Sequence, residues 1–449
     1  MYHDLTQGNI TRGLLRFALP MIAGDLLQQF YNIADTLIVG RALGRDALAA
    51  VGSAFSLMIF LTSVFLGLSM GAGALFSIRR GQGDDRGLRT AAGHAFLLIA
   101  GVTAVLTAAV YLLLDGILRF LQIPPALYAP MREYLAIIFA GLAGTFFYNF
   151  FACLLRAVGN SVAPLWFLGA AALLNVGLDL LFVLVFRWGV AGAAAAATVI
   201  AQTLSGAGLA AYTWRRCREL LPLPGEFRLE GAVFRELWGL SSLTCLQQCA
   251  MNFGILLIQR LVDSFGPVTM AAFAAGVKID AFAYLPVQDF GNAFSTFVAQ
   301  NYGAGQSERL RRGFRRAMAL SLGFACLLSA AVAGFAEPLM GLFLQPEETA
   351  VLAAGVRYLR IEGAFYPGIA CLFLLYGIYR AVRRPGMSVV LTVLSLGTRV
   401  ALAYALAGPV GESGIWWAIP IGWFLADAVG LGYYFRHRRT LLPDRRSEE

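Results

Sequence analysis

The chain has 449 residues, 59% of them hydrophobic and 14% charged, with a formal net charge of +9 and a mean hydropathy of +0.69. Soluble domains carry about 25% charged residues, so this composition excludes a soluble enzyme and makes lipid the solvent for most of the chain. The six cysteines and three histidines are scattered, which suggests neither a disulfide framework nor a metal cluster.

A membrane-spanning helix needs about 20 apolar residues, and twelve stretches qualify: 14–40, 47–76, 91–114, 133–153, 163–186, 190–213, 234–262, 269–297, 314–336, 352–379, 386–406 and 414–435. The ten-residue alternation of a membrane β-barrel is not seen. The N-terminus has no basic, short-cored, cleavable signal, so the first span is expected to stay in the mature protein. Taking both termini and the even-numbered loops as one side places 25 basic residues there and 8 opposite. Positive loops stay in the cytoplasm, so both termini are expected there. The same asymmetry accounts for clusters such as Arg309 to Arg316 without a nucleic-acid partner; membrane lipid is the partner it implies.

In chain order, the first span carries Pro20, which cannot donate a helical backbone bond and so is expected to bend it. Asp25 and Asp35 follow on the same span. Gly67 and Gly71 form a GxxxG that predicts close helix packing. Phe146, Phe147, Phe150 and Phe151 read as packing or lipid-facing residues. At about 1.5 Å per residue, Asp35 lies roughly 9 Å below Arg41 at the outer end of span 1, and Asp179 roughly 12 Å below Arg187 at the outer end of span 5. The two carboxylates therefore share a depth. Asn175 is one turn before Asp179 and on the same face, and Thr198 on span 6 reaches a comparable level. Carboxylates in hydrocarbon are costly unless they line a path or find partners. This cluster of oxygens suits a hard cation or an exchangeable proton; a purely structural hydrogen-bonding role for Asp179 is the competing reading.

Motifs recur at nearly constant spacing. Gln28-Gln29 returns as Gln247-Gln248, Gly81-Gln82-Gly83 as Gly303-Ala304-Gly305, and Arg156-Ala157-Val158 as Arg380-Ala381-Val382. Each half holds six spans, an even number, so the halves are parallel repeats with a transport path expected between them. The expected division is a lobe at 1–215, a Pro- and Gly-containing cytoplasmic linker at 216–233, and a second lobe at 234–449.

The only lysine, Lys278, follows a valine, so no phosphate-binding P-loop exists, and no catalytic constellation accompanies it. No enzymatic activity and no cofactor are expected; transport must draw on an ion gradient or on the substrate itself. In the second half, Lys278, Asp280, Asp289, Glu362, Arg399 and Asp427 lie at mid-depth. Lys278 and Asp280 face different sides of one helix. These residues, with Gln247 and Gln248 on span 7, are expected to form structural ion pairs or to line a substrate path, with Arg399 neutralised by Asp280, Glu362 or Asp427. Neither half-one carboxylate is repeated in the second half, where Gly254 and Val400 or Ala401 stand instead.

Several stretches resemble the multidrug and toxic compound extrusion (MATE) family: Phe17-Ala18-Leu19-Pro20, Leu27-Gln28-Gln29 through Asp35 to Val39-Gly40, Ala49-Ala50-Val51-Gly52, Asn175 with Leu178-Asp179, Gly189-Val190-Ala191-Gly192-Ala193, and Gln300-Asn301-Tyr302-Gly303-Ala304-Gly305. The resemblance covers nearly the whole chain. It implies a V-shaped, two-lobe transporter of twelve helices that exchanges H+ or Na+ for organic, often cationic, small molecules. It implies a cation-coupling role for Asp35, Asn175, Asp179 and Thr198, which would ligate the metal ion if the coupling ion is Na+, and a conformational hinge at Pro20. Gln247 and Gln248 replace an acidic residue that some members carry, which points to the bacterial branch with its ion site in the first lobe. A functional monomer in a bacterial inner membrane is expected. The competing readings are a flippase for lipids or lipid-linked precursors, which would want a strongly cationic cavity, and a channel or receptor subunit, which would not need paired carboxylates at matched depth.

Overall fold

The computed structural model describes residues 4–43, 45–120, 125–186, 188, 195–222, 229–344 and 347–441; the side chains of residues 35–57, 120, 125–127, 130 and 184 fall outside that description. Among the described residues every regular element is helical. The first half comprises α1 (Ile10–Leu43), α2 (Arg45–Gln82), α3 (Asp85–Phe120), α4 (Pro125–Ala140), α5 (Leu142–Ala157), α6 (Val162–Leu180) and α7 (Ala196–Arg216). The second comprises α8 (Gly231–Asp263), α9 (Pro267–Gly303), α10 (Ser307–Gly334), α11 (Ala336–Gly341), α12 (Thr349–Gly363), α13 (Tyr366–Ala381), α14 (Pro385–Val410) and α15 (Glu412–Leu441). Each of the twelve expected spans thus has a helix or a helix pair, and the fold is that of a twelve-helix, two-lobe membrane protein. Length and hydropathy alone pick out 9 of these helices among the described residues, or 10 when a bent pair is taken as one span.

The bent pair is α12 and α13, which meet at 49°. At the equivalent point of the first half α4 and α5 meet at Gly141, where Met131–Ala157 runs on as one span without such a bend. Both glycines sit under a valine: a Cβ at Gly141 would lie 2.8 Å from Val199 Cγ2, and one at Gly363 would lie 2.9 Å from Val332 Cγ1. An apolar run with one glycine reads as continuous in hydropathy, so each pair was expected as one span, and the α12–α13 bend was not foreseen. The short α11 was not expected at all. Several helices also outrun the hydrocarbon: α9 has 37 residues, about 55 Å at helical rise, against a core about 30 Å thick.

The sequence repeat is a backbone repeat. Gly83 and Gly305 both adopt left-handed geometry, with φ of 70° and 68°. Their turns close with the same bond, Asp84 N–H to Arg79 O at 3.0 Å and Gln306 N–H to Asn301 O at 2.9 Å. At the end of α5, Asn160 N–H donates to Leu155 O at 2.9 Å, and at the end of α13 Arg384 N–H donates to Tyr379 O at 2.8 Å.

Residues pack into two compact units whose borders lie inside helices. Unit 1 contains 23–80 and 84–245, and unit 2 contains 4–22, 81–83 and 246–449. Both α1 and α8 therefore begin in one unit and continue in the other, with the change after Ile22 in the first and after Cys245 in the second. Close packing in unit 1 explains why the opening of α8 belongs there: a Cβ at Gly67 would lie 2.5 Å from Cys245 Cα, and one at Gly71 2.5 Å from Ser241 Cα. The GxxxG brings backbones together as its spacing predicts. The core of unit 1 includes the expected phenylalanine cluster, with Phe96 5.3 Å from Phe146 and 5.4 Å from Phe150 between ring centroids.

In unit 2, α13 is buried almost throughout and packs on α9, α10, α14 and α15. A strap ahead of α1 is tied to α9 and α10. Leu5 N–H donates to Gln300 Oε1 at 3.2 Å, Asn301 Nδ2 donates to Leu5 O at 3.1 Å, and Arg309 donates to Gln7 O at 2.7 Å and Gly8 O at 2.8 Å. Gln300 and Asn301, noticed in the sequence only as part of a motif, thus satisfy backbone groups of a non-helical segment.

Candidate ion site and a buried carboxylate cluster

Asn175 and Asp179 are one helical turn apart on α6, with exposures of 2% and 0%. Thr198 faces them from the first turn of α7. With the Asn175 amide oriented to satisfy both neighbours, its nitrogen donates to Asp179 Oδ2 at 3.1 Å. Its oxygen then accepts from Thr198 Oγ1 at 3.2 Å and from the Thr198 backbone N–H at 3.1 Å. One amide therefore links the carboxylate to the hydroxyl and fixes both. Such buried polar groups are tolerated only when bonded, and this arrangement offers carboxylate and amide oxygens within one helical turn of each other. Asp35 lies on α1, but its side chain is outside the described residues.

Immediately after Asp179 the helix widens. Leu181–Val185 form a π turn, closed by Phe186 N–H to Leu181 O at 3.1 Å; such turns are frequent at functional sites. The polar face of α7 continues one turn past Thr198 at Gln202, whose Oε1 accepts from Thr145 Oγ1 on α5 at 2.7 Å. Thr145 and Gln202 were missed in the sequence, although the four-residue step from Thr198 to Gln202 was available as a signal. Pro20 lies inside α1, two residues before the helix leaves unit 2.

The second-half residues sort differently. Asp280 on α9 accepts hydrogen bonds from both Tyr358 on α12 and Tyr366 on α13. Glu362 lies one turn after Tyr358 on α12 and is buried like Asp280. Asp280 and Glu362 are 7% and 8% exposed. Lys278, by contrast, is exposed on the other side of α9, as its two-residue spacing from Asp280 predicts. Asp427 stands apart and neighbours Cys371. Gln247 and Gln248 are buried on α8. Of the expected mid-depth group the structure ties Asp280 to two tyrosines whose hydroxyls a hydropathy reading ignores.

The MatE family profile matches residues 20–181 and 244–405, one match in each half. "Probable multidrug resistance protein YpnP" of Bacillus subtilis is 28% identical over 433 residues, covering 96% of each chain. The "FAD transporter" of Shewanella oneidensis is 24% identical, covering 98% of this chain and 97% of that protein. A solved structure described as the outward-facing conformation of a multidrug resistance MATE family transporter of the MOP superfamily superposes with a TM-score of 0.91 at 22% identity, covering 97% of this chain and 98% of the other.

Proposed function

Since the chain belongs to the MatE family, whose members are multi-pass membrane transporters rather than enzymes, we propose that it is an antiporter that exports organic compounds in exchange for H+ or Na+. The cargo is a small organic molecule, cationic or amphipathic, moved by alternating access. The observation that carries this reading is the Asn175 amide held between Asp179 and Thr198 inside a lipid-spanning helix. A carboxylate is costly to keep within a span, whereas an ion-coupled carrier requires a group there that can change its occupancy.

In this mechanism Asp179 receives the ion, Asn175 and Thr198 orient it, and Asp35 of α1 supplies a second carboxylate. Pro20 lets the opening of α1 change direction because no backbone bond crosses it to Arg16. The protein acts as a monomer in a bacterial inner membrane, with both termini in the cytoplasm as the arginine distribution requires. Reconstitution in vesicles tests the proposal. Efflux of a fluorescent organic cation is measured under an imposed H+ gradient, an imposed Na+ gradient, or neither. Acceleration by one gradient, lost in Asp179→Asn, is the expected result; equal rates in all three conditions reject coupling.

A further inference from the structure

His94, on the third turn of α3, is 1% exposed and engages two backbone groups at once. Its Nδ1 lies 2.8 Å from Thr90 O, one turn back on the same helix, and its Nε2 accepts from the Glu230 backbone N–H at 2.9 Å. Glu230 is the residue from which α8 starts, since its carbonyl accepts the first helical bond, from Phe234 N–H at 3.0 Å. The pairing thus runs between α3 and the entry of α8, inside unit 1.

These two partners fix the state of the ring. A carbonyl oxygen can only accept, so Nδ1 must carry a proton; a backbone N–H can only donate, so Nε2 must not. Only the neutral ring meets both conditions. Adding a proton at Nε2 sets a donor against a donor at a buried position, where an unmade bond is costly. Two further ties hold the opening of α8 to α2: Arg79 pairs with Glu236 at 2.9 Å, and Ser241 Oγ donates to Leu68 O at 3.1 Å. The elements around this end of α3 also bring Arg156 on α5 and Glu219 in the 3-10 turn Arg218–Leu220, while the Arg132 of α4 is paired with Asp115 at 3.0 Å near the far end of α3. Carboxylates ordinarily titrate well below an imidazole and guanidinium groups well above it.

We propose that His94 is a proton-operated latch, which fastens the entry of α8 to α3 while neutral and releases it when protonated. The latch is separate from Asp179 and does not depend on whether transport is ion-coupled. Because α8 continues into unit 2 after Cys245, what the proton unfastens is the start of a helix that both units share. Linkage sets the size of the effect. The closed latch excludes a second proton and the open one admits it, so the latch holds fully above the ordinary imidazole value of about 6.5 and weakens about 10-fold for each pH unit below it. The strap ahead of α1 supplies a contrast in unit 2, since its fastenings are the amides of Gln300 and Asn301 and the guanidinium of Arg309.

Hydrogen-deuterium exchange of the detergent-purified full chain at pH 7.5 and 5.5, read by mass spectrometry and corrected for the intrinsic pH dependence of exchange, tests this. Exchange in the segment 229–237 should rise about 10-fold at the lower pH, and exchange in the strap at 4–9 should not. In His94→Gln, whose amide oxygen is an acceptor that gains no proton in this range, the rise should disappear. A parent without the rise overturns the proposal. So does an equal rise in the strap, which would indicate general loosening, or the same rise in His94→Gln, which would place the responsible group elsewhere. If His94→Gln melts early, the parent is titrated in small steps instead: a rise at 229–237 that sets in near pH 6.5 upholds the latch, whereas one that sets in only near the carboxylate range, about pH 4, overturns it.

Discussion

Gly159 and Arg383 stand at the same turn of the two halves and share a left-handed backbone, with φ of 89° and 61°. Among the described residues Arg383 is the only non-glycine in that region, where a side chain costs roughly 1–2 kcal/mol. Arg383→Gly should therefore stabilise the fold by about 1 kcal/mol, after the added freedom of glycine in the unfolded chain is subtracted. The reverse change, Gly159→Ala, should destabilise it by a similar amount. Melting in detergent measures both, and a lower melting temperature for Arg383→Gly would show that the arginine makes contacts worth more than its strain.

Asp179→Asn should abolish gradient-driven efflux while the protein still folds, because the amide keeps the shape and one hydrogen bond but not the charge. Removing one positioning partner is milder. A lost hydrogen bond to a charged group is worth about 1.5–3 kcal/mol, so Asn175→Ala should slow coupled transport by at least about 10-fold, and Thr198→Ala by less because the Thr198 backbone N–H still donates. Coupled transport that survives in Asp179→Asn would remove this residue from the site.

Tyr358→Phe and Tyr366→Phe each delete a hydroxyl bonded to buried Asp280. Each should destabilise unit 2 by about 1–3 kcal/mol, and Asp280→Asn should lower folding yield. None of these changes, nor neutralisation of Glu362 or Asp427, should alter the number of ions exchanged per substrate. A changed stoichiometry, read from paired ion and substrate fluxes, would place a second coupling site in this cluster.

Single cysteines introduced at Gln306 or Thr440 in a cysteine-free background should resist a membrane-impermeant thiol reagent in intact cells and react once the membrane is opened. Reaction in intact cells would invert the assigned orientation.

The twelve spans were legible because hydropathy measures transfer into lipid, which is what fixes a span. The bend after Gly363 was not, since a glycine within an apolar run leaves hydropathy nearly unchanged while it admits a facing valine. Half of the ion site was open to inspection through helix periodicity: Asn175 and Asp179 share a face by their spacing. The bond from Asn175 to Thr198 depends instead on how α6 and α7 pack, which depth alone only approximates. Tyr358 and Tyr366 escaped notice because a tyrosine in a span reads as an interfacial or packing aromatic until a carboxylate is seen at its hydroxyl. The borders of the compact units were hidden for a related reason: the linker marks where the chain is polar, whereas Gly67 and Gly71 decide which bundle the start of α8 joins.

The π turn at Leu181–Val185 bears on how this helix tolerates changes of length. A π turn holds one more residue than an α turn, so deleting a single residue there can rewind the backbone to ordinary α geometry, and the mismatch of about 100° per residue is absorbed within that turn. Elsewhere in α6 the same deletion would swing every later side chain around the axis. Asn175 and Asp179 precede the wide turn and would keep their facing, which makes the stretch from Leu181 to Val185 the place where insertions and deletions can accumulate in this helix while the carboxylate stays aimed at α7.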